Sequence, residues 1–257
     1  MQLAESSPTS FSVVPLVLKD DEQSHWLHFV SIDAAAFEHW HAQHRQWLHP
    51  KESSYYESIT SDVRRSSFLL GRVAAKSALI RQLGSMQPET IEIRPGLFQA
   101  PIVCAAAVNP FQVSIAHTRT MACALAFPAT HPMGIDLEDI LPDRSQAMER
   151  QCSESELAMV QALPSTVAHP WHVLWTSKEA LSKAIGTGFT TPMRLFEVRE
   201  LMSGSVSPLE GRYAHFGQFG FKSWTIGQRV LSLAYPKSCH LQGGNDDPTP
   251  PEAQELV

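Results

Sequence analysis

An α+β fold built from two lobes of similar make-up is predicted for this 257-residue sequence by three observations. Short runs of β-branched and aromatic residues alternate with amphipathic stretches, and this alternation occurs twice along the chain. One long helical segment in each half carries related strings, RVAAKSAL at 72–79 and SKEALSKAI at 177–185. With 43% hydrophobic and 18% charged residues, the chain has enough apolar surface for a sizeable core, which excludes disorder as its main state.

The segments FSVVPLVL (11–18) and HWLHFVSI (25–32) suit two strands that pair. Asp33 is an N-cap before one helix holding Phe37, Trp40, His41, His44 and Leu48 at helical spacing, with Pro50 after its end. A longer helix is expected from about Thr60 to Leu83, stopped by Gly84, with Arg64, Arg65, Arg72 and Lys76 on its polar side. Strands and turns follow over 91–103, 112–118 and 121–129, and PATHPM leads into a strand GIDLEDI at 134–140. Ser153-x-x-Glu156 is a capping box opening one helix, and a second starts near Pro170 and ends at Gly186 and Gly188. FEVREL and FKSWTIGQRVLSLAYP return to strand, with Gly227-Gln228 as a hairpin turn. The expected division is a flexible N-terminus (1–10), an N-terminal lobe (11–131), a C-terminal lobe (132–241) and a disordered tail (242–257).

A net charge of −6 weighs against broad nucleic-acid or membrane-surface binding, so an anionic ligand has to be held by a few placed residues. The four cysteines form no CxxC pair, which points to a reducing compartment. No apolar run approaches a membrane span and the start MQLAESSPTS has no signal-peptide pattern, so a cytoplasmic protein is expected. His25, His28, His39, His41, His44 and His49 crowd the first lobe without the ligand spacing of a zinc site.

Asp136 and Glu138 alternate on one strand and therefore share a face, a pairing suited to a hard divalent cation. Gly134 before them leaves the backbone open to close approach by a ligand. On the second long helix, Trp171, Leu174, Lys178, Leu181 and Ile185 form a core-facing stripe in which only Lys178 is out of character. Glu179 and Lys183 lie together on its flank, an arrangement that also fits a plain i,i+4 surface ion pair.

Taken together, GIDLE and WTSKEALSK, with 43 residues from Asp136 to Glu179, resemble the signature of the Sfp-type 4′-phosphopantetheinyl transferases. SIAHT (114–118) and RRSSFLLGRVAAKSAL (64–79) resemble two further segments of that family, so the likeness covers roughly 11–241. The resemblance implies two lobes in pseudo-twofold arrangement, with coenzyme A as substrate and Mg²⁺ bound in the cleft between them. It implies transfer of the phosphopantetheine arm to a serine of an apo acyl or peptidyl carrier protein, releasing adenosine 3′,5′-bisphosphate. Asp136, Glu138 and Glu179 match the metal ligands, Glu179 and Lys183 the catalytic pair, and Lys183, His117 and Ser114 the coenzyme A contacts. Arg65 and Arg72 are assigned to its 3′-phosphate, and Trp175 to packing. A catalytically silent coenzyme A or carrier-binding module and a metal-dependent phosphohydrolase are the alternatives. A monomer is expected, with neither nucleic acid nor membrane as partner.

Overall fold

The computed structural model describes residues 11–84, 86–104, 110–202 and 208–243. The expected flexible N-terminus and the tail from 244 onward lie outside them. Strands β1 (Phe11–Lys19) and β2 (Ser24–Asp33) pair along their full length, as their composition predicts. Asp33 caps only a 3₁₀ turn, accepting the N–H of Ala35, before α1 (Phe37–Ala42) and α2 (His44–Trp47). The single helix expected here is thus broken at Gln43, and Pro50 opens a further helix, α3 (Pro50–Ser58), instead of following an end. The reason is local: Pro suits the first helical position, and His49 with Glu52 forms a capping box around it.

The long helix α4 (Asp62–Leu83) is capped by Ser61 and ends at Gly84 with φ +85°. The small hairpin β3 (Glu92–Pro95) and β4 (Pro101–Cys104) follows, then β5 (Phe111–His117) and β6 (Met121–Pro128). The second lobe opens with β7 (Gly134–Asp139), α5 (Ser145–Glu149), α6 (Glu154–Ala162) and α7 (Pro170–Ala184). It closes with β8 (Val198–Met202), β9 (Leu209–Tyr213), β10 (Phe219–Ile226) and β11 (Arg229–Pro236), the last two joined at Gly227-Gln228. Neither α5 nor β9 stands out in the sequence, since SQAME and LEGRY carry too few apolar residues to show a period.

With a last strand β12 (His240–Gly243), two five-stranded antiparallel sheets result, in the orders β12-β1-β2-β6-β5 and β7-β11-β10-β9-β8. Their inner faces pack on each other through Leu27, Phe29 and Leu125 from one side and Leu137, Leu231 and Leu233 from the other. α4 covers the outer face of the first sheet and α7 that of the second. Each lobe repeats one order: a strand, a long helix, then a hairpin whose second strand pairs with the first strand. The chain end departs from the expected division. β12 (His240–Gly243) leaves the second lobe to pair with β1, because Leu241 is buried between the sheets and its carbonyl accepts from Lys222.

The repeat extends to a buried ion pair. In the first lobe Lys76 Nζ lies 2.5 Å from Glu52 Oε2 and also donates to the carbonyl of Trp47. Glu52 Oε2 accepts the His49 N–H, and its Oε1 the N–H of Ile93 at the start of β3. In the second, Lys178 Nζ lies 2.6 Å from Glu156 Oε2 and donates to the carbonyl of Gln151. Glu156 in turn accepts from the N–H groups of Ser153 and of Val198 at the start of β8. Glu156 therefore does more than cap α6, and the lysine that looked misplaced in a core stripe is its buried partner.

Removing one member of such a pair leaves an uncompensated buried charge. Lys178→Met should therefore lower stability by about 3 kcal/mol, and urea denaturation measures it; a loss below about 1 kcal/mol, the range of exposed pairs, would contradict the reading.

At Gly134 the backbone of α7 lies directly on β7. An added Cβ would meet the Ala180 carbonyl oxygen at 2.0 Å and the Ala184 nitrogen at 2.6 Å. The close approach made possible by this glycine is thus by a helix, not by a ligand. Gly134→Ala should destabilise by about 3 kcal/mol as α7 is forced off the strand, whereas Gly217→Ala, with nothing within 4 Å of the new Cβ, should cost far less. Thermal melting of the two variants makes the comparison.

Candidate active site

The Gly134 contact sets α7 across β7, and two turns of its surface then meet the acidic strand. Asp136 is buried, and its Oδ1 accepts from Lys183 Nζ at 2.8 Å. Lys183 also donates to the Ile115 carbonyl on β5 at 3.2 Å, so it joins the two lobes. Its natural partner on a bare helix, Glu179, is instead buried at 3% exposure. The surface i,i+4 reading of Glu179 and Lys183 is therefore set aside.

Two carboxylate oxygens here, Asp136 Oδ2 and Glu179 Oε1, are buried with no hydrogen-bond partner. Burial, the Asp136 charge and, more weakly, that of Glu138 push the Glu179 carboxyl up to about 8, against the pull of Lys183. Burial also raises Asp136, opposed by Lys183. Glu138 is raised by burial and by Asp136, while its Oε2 accepts from Arg144 Nη1 at 2.7 Å. Trp175, assigned to packing, does pack on the outer core. Lys183 is held above its ordinary value: burial alone would lower it, but the Asp136 charge and hydrogen bond prevail. Asp136 thus raises the proton affinity of both glutamates and Glu138 adds to that of Glu179, and carboxylates so placed, two of them with an orphaned oxygen, could hold a hard divalent cation.

Glu179 and Lys183 line a cleft of about 750 Å³ between the lobes. His117, at the end of β5, lines it too; desolvation and then the Lys183 charge hold its imidazole below the ordinary range. Ser114 reaches the wall, but its Oγ accepts the N–H of Ile135 at 3.0 Å and so staples β5 to β7. Arg72 lines the cleft with its guanidinium over Phe68 and its Nε 3.0 Å from Glu52 Oε1. Arg65 does not reach it: it stacks on Tyr56 and lines a separate cavity of about 600 Å³ beside α1. Spacing on α4 could not separate the two arginines, because both fall on its polar side. The cleft instead recruits Lys51, Arg64 and Arg94, which come from α3, the first turn of α4 and the β3–β4 hairpin. Arg94 was missed because an isolated cation in a short strand carries no pattern.

All four cysteines are free thiols, and among the described residues no helix is long and apolar enough to cross a membrane.

Comparison with known proteins bears on this geometry. Residues 132–234 match the model of the family described as the 4′-phosphopantetheinyl transferase superfamily. A Bacillus subtilis protein described as 4′-phosphopantetheinyl transferase is 28% identical over 141 residues, which cover 54% of this chain and 60% of that protein. A crystal structure of a holo-(acyl-carrier-protein) synthase from Bacillus anthracis in complex with CoA (3′,5′-ADP) is 20% identical, with a TM-score of 0.35, over 46% of this chain and 96% of that one. The segment that matches the family model begins just before Gly134 and takes in the acidic strand, α7 and the closing hairpin, and this chain spans about 60% of the length of the curated relative it matches.

Proposed function

We propose that the protein is an Sfp-type 4′-phosphopantetheinyl transferase, moving the phosphopantetheine arm of coenzyme A to a serine of an acyl or peptidyl carrier protein. The observation that carries this is that Glu179 and Lys183 line a cleft whose other side is basic, that Lys183 pairs with Asp136 behind them, and that Asp136 Oδ2 and Glu179 Oε1 are buried without a partner. Coenzyme A carries a pyrophosphate and a 3′-phosphate, and Lys51, Arg64, Arg72 and His117 offer it positive or hydrogen-bonding groups across the cleft. Mg²⁺ held by Asp136, Glu138 and Glu179 would neutralise charge on the pyrophosphate oxygens.

In the reaction the carrier serine oxygen bonds to the phosphorus next to the pantetheine arm. The bond from that phosphorus to the bridging oxygen breaks, and adenosine 3′,5′-bisphosphate leaves. The serine proton passes to Glu179, directly or through a water, since a carboxylate with raised proton affinity is matched to that task. Lys183, charged and tethered between Asp136 and the Ile115 carbonyl, is preorganised to stabilise negative charge building up on the phosphoryl oxygens. Ser114 acts by fixing the β5–β7 junction as much as by touching ligand.

Incubation with coenzyme A, Mg²⁺ and a panel of apo carrier domains, read by intact mass, tests the proposal. A gain of one phosphopantetheine is expected on at least one carrier. Coenzyme A binding without transfer to any carrier would leave the silent binding module in its place. Asp136→Asn should chiefly raise the Mg²⁺ concentration needed for coenzyme A binding, because it removes a ligand charge without adding bulk. Glu179→Gln should slow single-turnover transfer by about two orders of magnitude or more even in saturating Mg²⁺. Parent rates in both variants would refute the shared acidic centre.

A further inference from the structure

We propose that Asp20, His25 and His131 form a second metal site, for one borderline transition-metal ion of the zinc type, away from the acidic cleft. Asp20 follows β1, His25 lies near the start of β2, and His131 sits in the connection from β6 to β7 that joins the lobes. His25 Nε2 and His131 Nε2 each stand 3.1 Å from the same Asp20 Oδ2, and the three ligand atoms all lie within 4.8 Å of one another. Ligands on a tetrahedral zinc with bonds of 2.0–2.1 Å are separated by about 3.3 Å. Both imidazole–carboxylate distances are already near that value, so a small movement of the rings completes the site.

The surroundings hold the ligands in this aim. Asp20 Oδ1 is taken up by the N–H groups of Glu22 at 2.8 Å and Gln23 at 2.7 Å, which fixes the turn and leaves Oδ2 for the two rings. His131 Nδ1 lies 2.9 Å from Thr130 Oγ1, a partner that can accept from Nδ1–H and so free Nε2 as a ligand. The rings are 4.6 Å apart, and side-chain exposures of 16–20% leave the cluster open to an ion from solvent. Two imidazoles and one carboxylate suit Zn²⁺ or Co²⁺, whereas Mg²⁺ prefers oxygen donors alone. The ion would pin the β1–β2 turn to the interlobe connection, 111 residues away in sequence.

The test uses the whole protein with Mg²⁺ present throughout, so that hard-cation sites are filled. Zn²⁺ at about a hundredfold excess over its dissociation constant should raise the melting temperature by about 5 °C or more, and the rise should vanish in His25→Gln and His131→Gln. No rise in the parent, or an equal rise in parent and variants, would overturn the proposal. Should either variant fail to fold, Co²⁺ added to the parent decides: paramagnetic shifts of the His25 and His131 ring resonances support the site, and shifts confined to other histidines overturn it.

Discussion

The contact on which the rest of this molecule depends is backbone on backbone: α7 lying against β7 at Gly134. A side chain there would overlap the Ala180 carbonyl and the Ala184 nitrogen, so the helix settles at a depth that only glycine permits. At that depth Glu179 is buried and Lys183 reaches across to Asp136, two residues along the strand. The glycine that opens the acidic motif thus acts as a spacer between two main chains, and the chemistry of the motif follows from the spacing. Sub-ångström placement of charged groups in a low-dielectric cleft is what makes them effective, and side-chain packing alone is softer than a main-chain stop.

The two lobes are built alike but not used alike. Aligned at their buried lysines, Lys76 and Lys178, the long helices put Ser77 under Glu179, Arg81 under Lys183 and Gly84 under Gly186. Both glycines have positive φ, Gly84 as the cap of its helix and Gly186 one residue past the Ile185 cap of the other. The scaffold features repeat: the capping box, the lysine that neutralises its glutamate, and the strand N–H held by the second carboxylate oxygen. The acid at the Glu179 position does not. A pairing that costs desolvation is kept in both lobes, which is consistent with a role in fixing how the short helix, the long helix and the next strand meet.

Much of this was legible from residue types, and the reasons for the rest are physical. Strong periodicity over 22 residues gave α4 to within two residues, and alternating apolar runs gave β1, β2, β10 and β11. The acidic strand and the helix bearing Glu179 and Lys183 were found because their chemistry is carried by side chains at fixed local spacing. Long-range partners left no such trace. Glu52 and Lys76 are each ordinary in their own helix, and β12 reads as the edge of a polar tail until Leu241 is seen between the sheets. Arg65 and Arg72, both half-buried, differ in direction because Tyr56 lies against one and Glu52 beside the other.

The charge of the chain resolves in the same terms. A protein with net charge −6 has no reason to attract a polyanion over its whole surface. Apart from Lys183, the basic cleft residues Lys51, Arg64, Arg72, Arg94 and His117 belong to the first lobe, while Asp136, Glu138 and Glu179 belong to the second. The basic cluster and the acidic cluster therefore come together only where the two lobes meet. Their registration rests on the apolar layer between the sheets, on Ser114 accepting the Ile135 N–H, and on Lys183 spanning from Asp136 to the Ile115 carbonyl. Lys183 is therefore at once part of the site and part of what holds it together, and its charge is most useful where the two lobes meet.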